Sequence, residues 1–192
     1  MRKTLYIMVG ISGAGKSEFA KNHLIKGARW HYVSRDEIRF SKLQENETYF
    51  EHEDEVFQTF IDKIVWGLKH DDIFYVIADA THTTWSSRNK LINNLNKSGI
   101  RLKDIDIIPV VVKTDFAECI RRNANREGLA QVPNKVIERM YHQFTDPVSD
   151  KFDYTAIMYV DNGVEYTEKP KFMYHKNDMR IKEIPIKEVI KR

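Results

Sequence analysis

The segment Gly10-Ile11-Ser12-Gly13-Ala14-Gly15-Lys16-Ser17 matches the pattern G-x-x-x-x-G-K-[ST] in full. A loop of this composition can bind phosphate. Its glycines let the backbone wrap around an anion, so that the N–H groups of Gly10, Ser12, Gly13, Ala14 and Gly15 can converge on one charge. In that arrangement Lys16 would reach β and γ phosphates, and the Ser17 hydroxyl would ligate Mg²⁺. The alternative is an ordinary glycine-rich turn. The flanks argue against it. Thr4-Leu5-Tyr6-Ile7-Met8-Val9 reads as a strand. Lys16 to Lys26 reads as a helix, with Phe19, Ala20, His23 and Leu24 on one face and Gly27 as its stop. A helix N-terminus adds its dipole to an anion site. Lys16 itself is expected at the open surface of the loop.

Three further groups could do chemistry. Asp36, in Ser34-Arg35-Asp36-Glu37-Ile38-Arg39, could accept a proton from an attacking hydroxyl, or could simply favour a helix N-terminus. Arg39, one turn on, could hold an anionic acceptor or pair with Asp36. Asp79 closes the run Phe74-Tyr75-Val76-Ile77-Ala78, at the position where a carboxylate holds Mg²⁺ directly or through water. Arg121, Arg122 and Arg126 end a helix before a Gly-containing loop. They could form a lid over a triphosphate. Glu118 and the helix C-terminus could equally account for them. Seven scattered histidines and one cysteine give no metal-ligand spacing.

These groups need a scaffold, and the apolar pattern supplies one. Beyond the first strand and helix come a short strand at His31-Tyr32-Val33 and a helix capped by Ser34, with Glu37 completing a capping box. A long helix is expected from Thr48 to Lys69, with Phe50, Phe57, Phe60 and Trp66 read as core together with Tyr75 of the next strand. Strands follow within 72–80, at 105–112 and at 154–160. Helices are expected at 85–96, from a cap at Thr114 or Asp115 to about 125, and at 134–144. Alternation of this kind indicates an α/β fold: a parallel sheet of about five strands, helices on both faces and a helical lid. Ligands of such sheets bind beyond the C-terminal strand ends. The P-loop, Ser34-Arg35-Asp36, Asp79-Ala80-Thr81 and the Thr114 region fall there. Residues 1–160 form the expected domain, and 161–192 a basic appendage that can hold a hairpin around Lys176-Asn177-Asp178 and a short helix from Pro185.

Composition sets outer bounds. The chain has 192 residues, 42% of them hydrophobic, which suffices for a real core. A net charge of +3 excludes a histone-like binder. The single Cys119 allows no internal disulfide, fits a reducing compartment and reads as a small buried apolar residue. The N-terminal apolar run is too short for a signal peptide or a membrane span, so a cytoplasmic protein with no membrane partner is expected.

Taken together, these segments resemble the polynucleotide 5′-hydroxyl kinase family, the phage-type kinase module and its bacterial relatives. The resemblance runs from Met1 to about Val160. It rests on Gly10 to Ser17, on Ser34 to Arg39, on Asp79-Ala80-Thr81 with Arg88 further on, and on Arg121-Arg122-Asn123-Ala124-Asn125-Arg126 followed by Val132-Pro133. It implies a P-loop kinase fold using ATP and Mg²⁺, with Asp36 as general base and Arg39 on an acceptor-side phosphate. It places Thr81 and Arg88 on the acceptor side as well. Arg126, with Arg122, becomes the lid arginine on the donor phosphates. His82 stands where relatives usually carry Asn. Asp104-Ile105-Asp106 lacks the Gly-Thr of a D-x-D-G-T phosphatase signature, and no K-x-D-G ligase motif occurs.

The expected activity is transfer of the γ-phosphate of ATP to the 5′-hydroxyl of a DNA or RNA end, with a separate ligase as a candidate partner. The alternatives are a P-loop kinase of a nucleoside or other small alcohol, and a nucleotide-dependent switch or toxin-like module. A mechanical ATPase fits least, since no room remains for the helical lid domain of ring assemblies.

Overall fold

In the computed structural model, residues 2–162 are described, together with the backbone of 173–175 and 178–182. The short helix expected from Pro185 lies outside the described residues. Five strands are parallel: β1 (Lys3–Val9), β2 (Trp30–Ser34), β3 (Tyr75–Asp79), β4 (Ile105–Lys113) and β5 (Ile157–Asp161). Two antiparallel strands, β6 (Met173–His175) and β7 (Asp178–Lys182), continue the sheet from β5. The order is β2-β3-β1-β4-β5-β6-β7, so β1 lies between β3 and β4 and the chain crosses it on the way from β3 to β4.

Alternation along β1 divides the core in two. Leu5, Ile7 and Val9 join one apolar cluster, with Val56, Phe60, Ile61 and Ile64 of α3 (Glu53–Lys69) and Leu91, Ile92 and Leu95 of α4 (Trp85–Lys97). Tyr6 and Met8 join the other, with Ala20 and Leu24 behind the P-loop, Cys119 of α5 (Phe116–Ala124) and Ile137 of α6 (Asn134–His142). Both faces of the sheet are thereby covered, as buried parallel strands require. Cys119 is buried as expected, and burial pushes its thiol pKa up. Among the described residues, no helix is long and apolar enough to cross a membrane.

Several local expectations change. The helix after the P-loop begins as α1 (Lys16–Phe19) and widens into a π-helical turn at Ala20–Leu24. Ser34 does cap α2 (Arg35–Lys42), accepting from the Glu37 N–H at 3.2 Å. The Glu37 carboxylate, however, goes to Lys21 at 2.9 Å instead of closing the capping box. The long helix starts at Glu53, not Thr48. Glu47 diverts the preceding residues, taking the Gln44 N–H at 2.7 Å and the His52 ring at 2.8 Å. Such local side-chain bonds compete with helix formation. Phe50 therefore leaves the helical period and is 57% exposed. Trp66 is also exposed, two residues from both Ile64 and Leu68 and so off their face. It packs instead on the His31 and His70 rings.

Candidate active site

The P-loop leaves the C-terminal end of β1 and is fixed from behind. Gly13 and Gly15 adopt φ of +85° and +90°. A Cβ on Gly13 would collide with the Cys119 carbonyl, and one on Gly15 with the Asn162 side chain. Asn162 Nδ2 and Thr114 Oγ1 both donate to the Ala14 carbonyl at 2.8 Å. The Thr114 region thus holds the loop rather than lining its front. Asn162 had no motif to mark it. The Gly10 N–H donates to the Thr81 carbonyl at 2.9 Å, tying the loop to the segment after β3.

Lys16 departs from expectation. It is buried, and its Nζ donates to the Ile11 carbonyl at 3.0 Å. Burial pushes its ammonium pKa down from the ordinary lysine value, while Asp79 and Asp36 pull it back up. Beside it, Ser17 Oγ donates to Asp79 Oδ2 at 2.5 Å, and the Tyr32 hydroxyl donates to the same oxygen at 2.5 Å. Asp79 is only 4% exposed. One hydroxyl and one carboxylate in contact, facing a phosphate loop, form the small oxygen donor set that suits Mg²⁺, which keeps most of its ligands as water and phosphate.

The cavity in front of the loop measures about 520 Å³. Ser12, Gly13, Gly15, Lys16, Ser17, Asp36, Arg39, Asp79, Thr81 and Arg126 all line it. The structure thus brings together residues from three strand ends and from the segment between α5 and α6. Asp36 has a side chain 60% exposed, and its Oδ1 accepts from Arg39 Nη1 at 2.5 Å and from the Tyr49 hydroxyl at 2.8 Å. Arg39 is held more tightly than its spacing suggested. Its Nη1 also donates to Tyr49 at 2.8 Å, and its Nε and Nη2 donate to Glu53 Oε2 at 3.3 and 2.8 Å. The Tyr49 ring lies 4.3 Å from the guanidinium. Glu53 also accepts from Arg35. Tyr49, Phe50 and Glu53 border the cavity without a sequence signal, because the expected helix hid the turn that presents the first two.

The three arginines separate. Arg121 and Arg122 both bind Glu118, at 2.6 Å each, and those bonds hold the Glu118 carboxyl pKa down at about 2. Arg126 contacts neutral oxygens, Ser12 Oγ at 3.2 Å and the Ala130 carbonyl at 3.5 Å. Among the described residues it meets no carboxylate, and it is the cation of the three that bonds a P-loop side chain. Arg122 stays beside Gly15, its Nη1 3.4 Å from where a Cβ would stand.

Arg88 is a correction. The resemblance puts it on the acceptor side, but it is fully buried. Its Nε and Nη2 each bond Asp150 at 2.6 Å, Nη1 donates to the His82 carbonyl at 2.8 Å, and Nη2 donates to the Thr145 carbonyl at 2.9 Å. No face remains for a ligand. Arg88 instead clamps the loop that follows Asp79.

His82, held by that clamp, adopts φ +42° and is buried, its Nδ1 3.1 Å from the Met8 carbonyl oxygen. Burial drives its pKa from 6.5 down to about 3. The imidazole is therefore neutral in the fold, while the unfolded chain takes up a proton below pH 6.5. The unfolded state binds more protons between pH 6.5 and 3, so this residue's contribution falls as pH drops through that window, by roughly 1.4 kcal/mol per unit. His82→Asn keeps a side chain that tolerates positive φ and removes the titration. Urea unfolding at pH 7 and pH 5 is expected to show the wild type losing about 2 kcal/mol more than the variant. Equal losses would mean that His82 titrates alike in both states.

Two comparisons bear on this architecture. Residues 5–147 match the model of a family described as an AAA domain. In three dimensions the chain is similar to a fungal RNA kinase, with TM-score 0.60 and 13% identity, over 87% of this chain and 40% of that one. It is similar to a chain of the Pnkp1/Rnl/Hen1 RNA repair complex, with TM-score 0.59 and 22% identity, over 74% of this chain and 44% of that one. It is also similar to a sugar kinase from a Janibacter species, with TM-score 0.52 and 9% identity, over 84% of this chain and 86% of that one. The chain thus spans less than half the length of the first two. At these identities the likeness is one of fold.

Proposed function

The chain belongs to the AAA-domain family and has the P-loop kinase fold, and we propose that it transfers the γ-phosphoryl group of ATP to the 5′-hydroxyl of a DNA or RNA end. The observation that carries this reading is the shared cavity: a candidate base, Asp36, stands on the same side of the sheet as Lys16, Ser17, Asp79 and Arg126. A switch or a mechanical ATPase has no use for an acceptor half of this kind.

The Gly10 and Ala14 N–H groups, expected on the phosphates, are spent on the Thr81 and Ile11 carbonyls, so the N–H groups of Ser12, Gly13 and Gly15 together with Lys16 would hold the donor phosphates. Arg126, joined by Arg122, would meet the charge of the transferring group. Ser17 and Asp79 would hold Mg²⁺, which when bound neutralises phosphate charge. Asp36 has one oxygen anchored by Arg39 and Tyr49. Its second oxygen would take the proton of the 5′-hydroxyl as that oxygen bonds to the γ-phosphorus and the bond to the ADP leaving oxygen breaks. Thr81 borders the acceptor space. Four of the five Arg39 N–H groups are committed to Glu53, Asp36 and Tyr49, which leaves one on Nη2 for an acceptor phosphate. A cytoplasmic enzyme of this kind would pass its 5′-phosphate product to a separate ligase.

The test is to incubate the protein with γ-labelled ATP and a panel of 5′-hydroxyl oligonucleotides, nucleosides, nucleoside 3′-phosphates and sugars. Oligonucleotides should label best. A nucleoside 3′-phosphate should exceed its free nucleoside roughly tenfold in kcat/KM, as one charge-assisted hydrogen bond allows. The advantage should shrink with salt and largely vanish in Arg39→Ala. Equal kcat/KM for the two acceptors would replace this reading with a small-alcohol kinase, the chemistry named for the Janibacter neighbour.

A further inference from the structure

We propose that Phe50 is a stacking platform for the 5′-terminal nucleobase of the acceptor, an inference that rests on the polynucleotide reading above. Phe50 is an aromatic side chain that both core clusters leave out, although Tyr49 and, at 5.9 Å, the Arg39 guanidinium approach its ring. It is 57% exposed and borders the cavity. Leaving such a ring in water forgoes most of the stabilisation that its burial would bring.

The ring is nevertheless held in place. Tyr49 meets it nearly edge-on, with ring centroids 4.8 Å apart at 85°. Tyr49 is in turn fixed by Phe40, at 6.2 Å, and by the Arg39 guanidinium, at 4.3 Å. The Tyr49 hydroxyl bonds Asp36 Oδ1 at 2.8 Å. Phe50 is thereby tied through Tyr49 to the candidate base, and both residues border the cavity that an acceptor would enter. The cavity is also lined by Val132, Val136 and Met140 of the segment around α6. Rings and aliphatic groups suit a flat aromatic ligand. The cavity's polar side chains near this wall, Ser34, Arg35, Asp36 and Glu53, already serve other partners, so a polyhydroxy alcohol would compete with those bonds where a stacked ring would not. Arg39, with one N–H to spare, cannot by itself supply much acceptor affinity. Stacking adds affinity without reading the base, because every base has a π face.

The experiment pairs two 5′-hydroxyl oligonucleotides that differ only in an abasic 5′-terminal nucleotide, with wild type, Phe50→Ala and Phe50→Trp. Stacking contributions of the usual size correspond to roughly 5- to 150-fold in acceptor KM. The wild type should show that penalty on the abasic strand. Phe50→Ala should show it on the normal strand, with no further loss on the abasic one. Phe50→Trp should restore the preference. The KM for ATP should not move in either variant. An unchanged acceptor KM in Phe50→Ala, or two penalties that multiply independently, overturns the platform while leaving the polynucleotide reading intact. A wild type that labels no oligonucleotide overturns that reading and the platform with it.

Discussion

Lys16→Ala is expected to abolish phosphoryl transfer, lowering kcat by on the order of 10³-fold or more, the scale on which removal of a charged group from a transferring phosphoryl is felt. Thermal unfolding should stay close to wild type. The resting structure explains the separation. Lys16 is buried, and among the described residues its Nζ has one hydrogen-bond partner, the Ile11 carbonyl, at 3.0 Å. Burial disfavours its charge, as the downward pKa shift records. A buried cation with so few partners contributes little to folding, and removing it can even be neutral. With a triphosphate in the loop the balance reverses, because the same charge then faces β and γ oxygens. The measurement is single-turnover transfer from γ-labelled ATP beside circular-dichroism melting of both proteins. A folded Lys16→Ala protein with near-normal turnover would sink the kinase assignment.

What could be read from the chain in advance followed the range of the interactions. β1, the P-loop and the turn into α1 form one contiguous run, so their pattern sufficed. Asp79 and Ser17 are 62 residues apart, yet the end of an apolar strand marked Asp79, because parallel strands place their C-terminal ends on one side of the sheet. Glu118 was legible as a partner of Arg122 because helical spacing sets such pairs, and the structure adds Arg121 to it.

The failures share a different cause. Arg88 and Asp150 also lie 62 residues apart, but no period or strand end joins them, and a buried ion pair of that kind leaves no trace in composition. Tyr49 and Phe50 were concealed by an apolar spacing that continues the α3 pattern backwards. The carboxylate of Glu47 decides the matter locally, by bonding Gln44 and His52 so that the helix starts only at Glu53. This part of the cavity wall was lost to a single competing side chain. Glu53 was lost because a glutamate in the first turn of a helix has an ordinary explanation in the helix dipole. Only the fold shows that it grips Arg39.

Asp36→Asn tests the chemistry that separates a transferase from a nucleotide-binding module. A positioned general base is worth roughly 10²–10⁴ in rate, and kcat should fall by that amount. Asparagine keeps an oxygen for Arg39 Nη1 and for the Tyr49 hydroxyl, the two donors that Oδ1 serves. What it loses is the ability to take a proton on the second atom. ATP affinity should hardly change, since the phosphate loop and the Ser17–Asp79 pair are untouched. Stability should change little as well. Ser34, not Asp36, caps α2, so the substitution removes only a charge near the helix N-terminus, worth about 0.3–1 kcal/mol. Two observables therefore move apart: kcat collapses while the melting temperature and the Kd for ATP hold. If instead the melting temperature drops and kcat at saturating substrates survives, Asp36 serves the helix and not the reaction, and the base must be sought elsewhere among the residues lining the cavity, with Glu53 the first to examine.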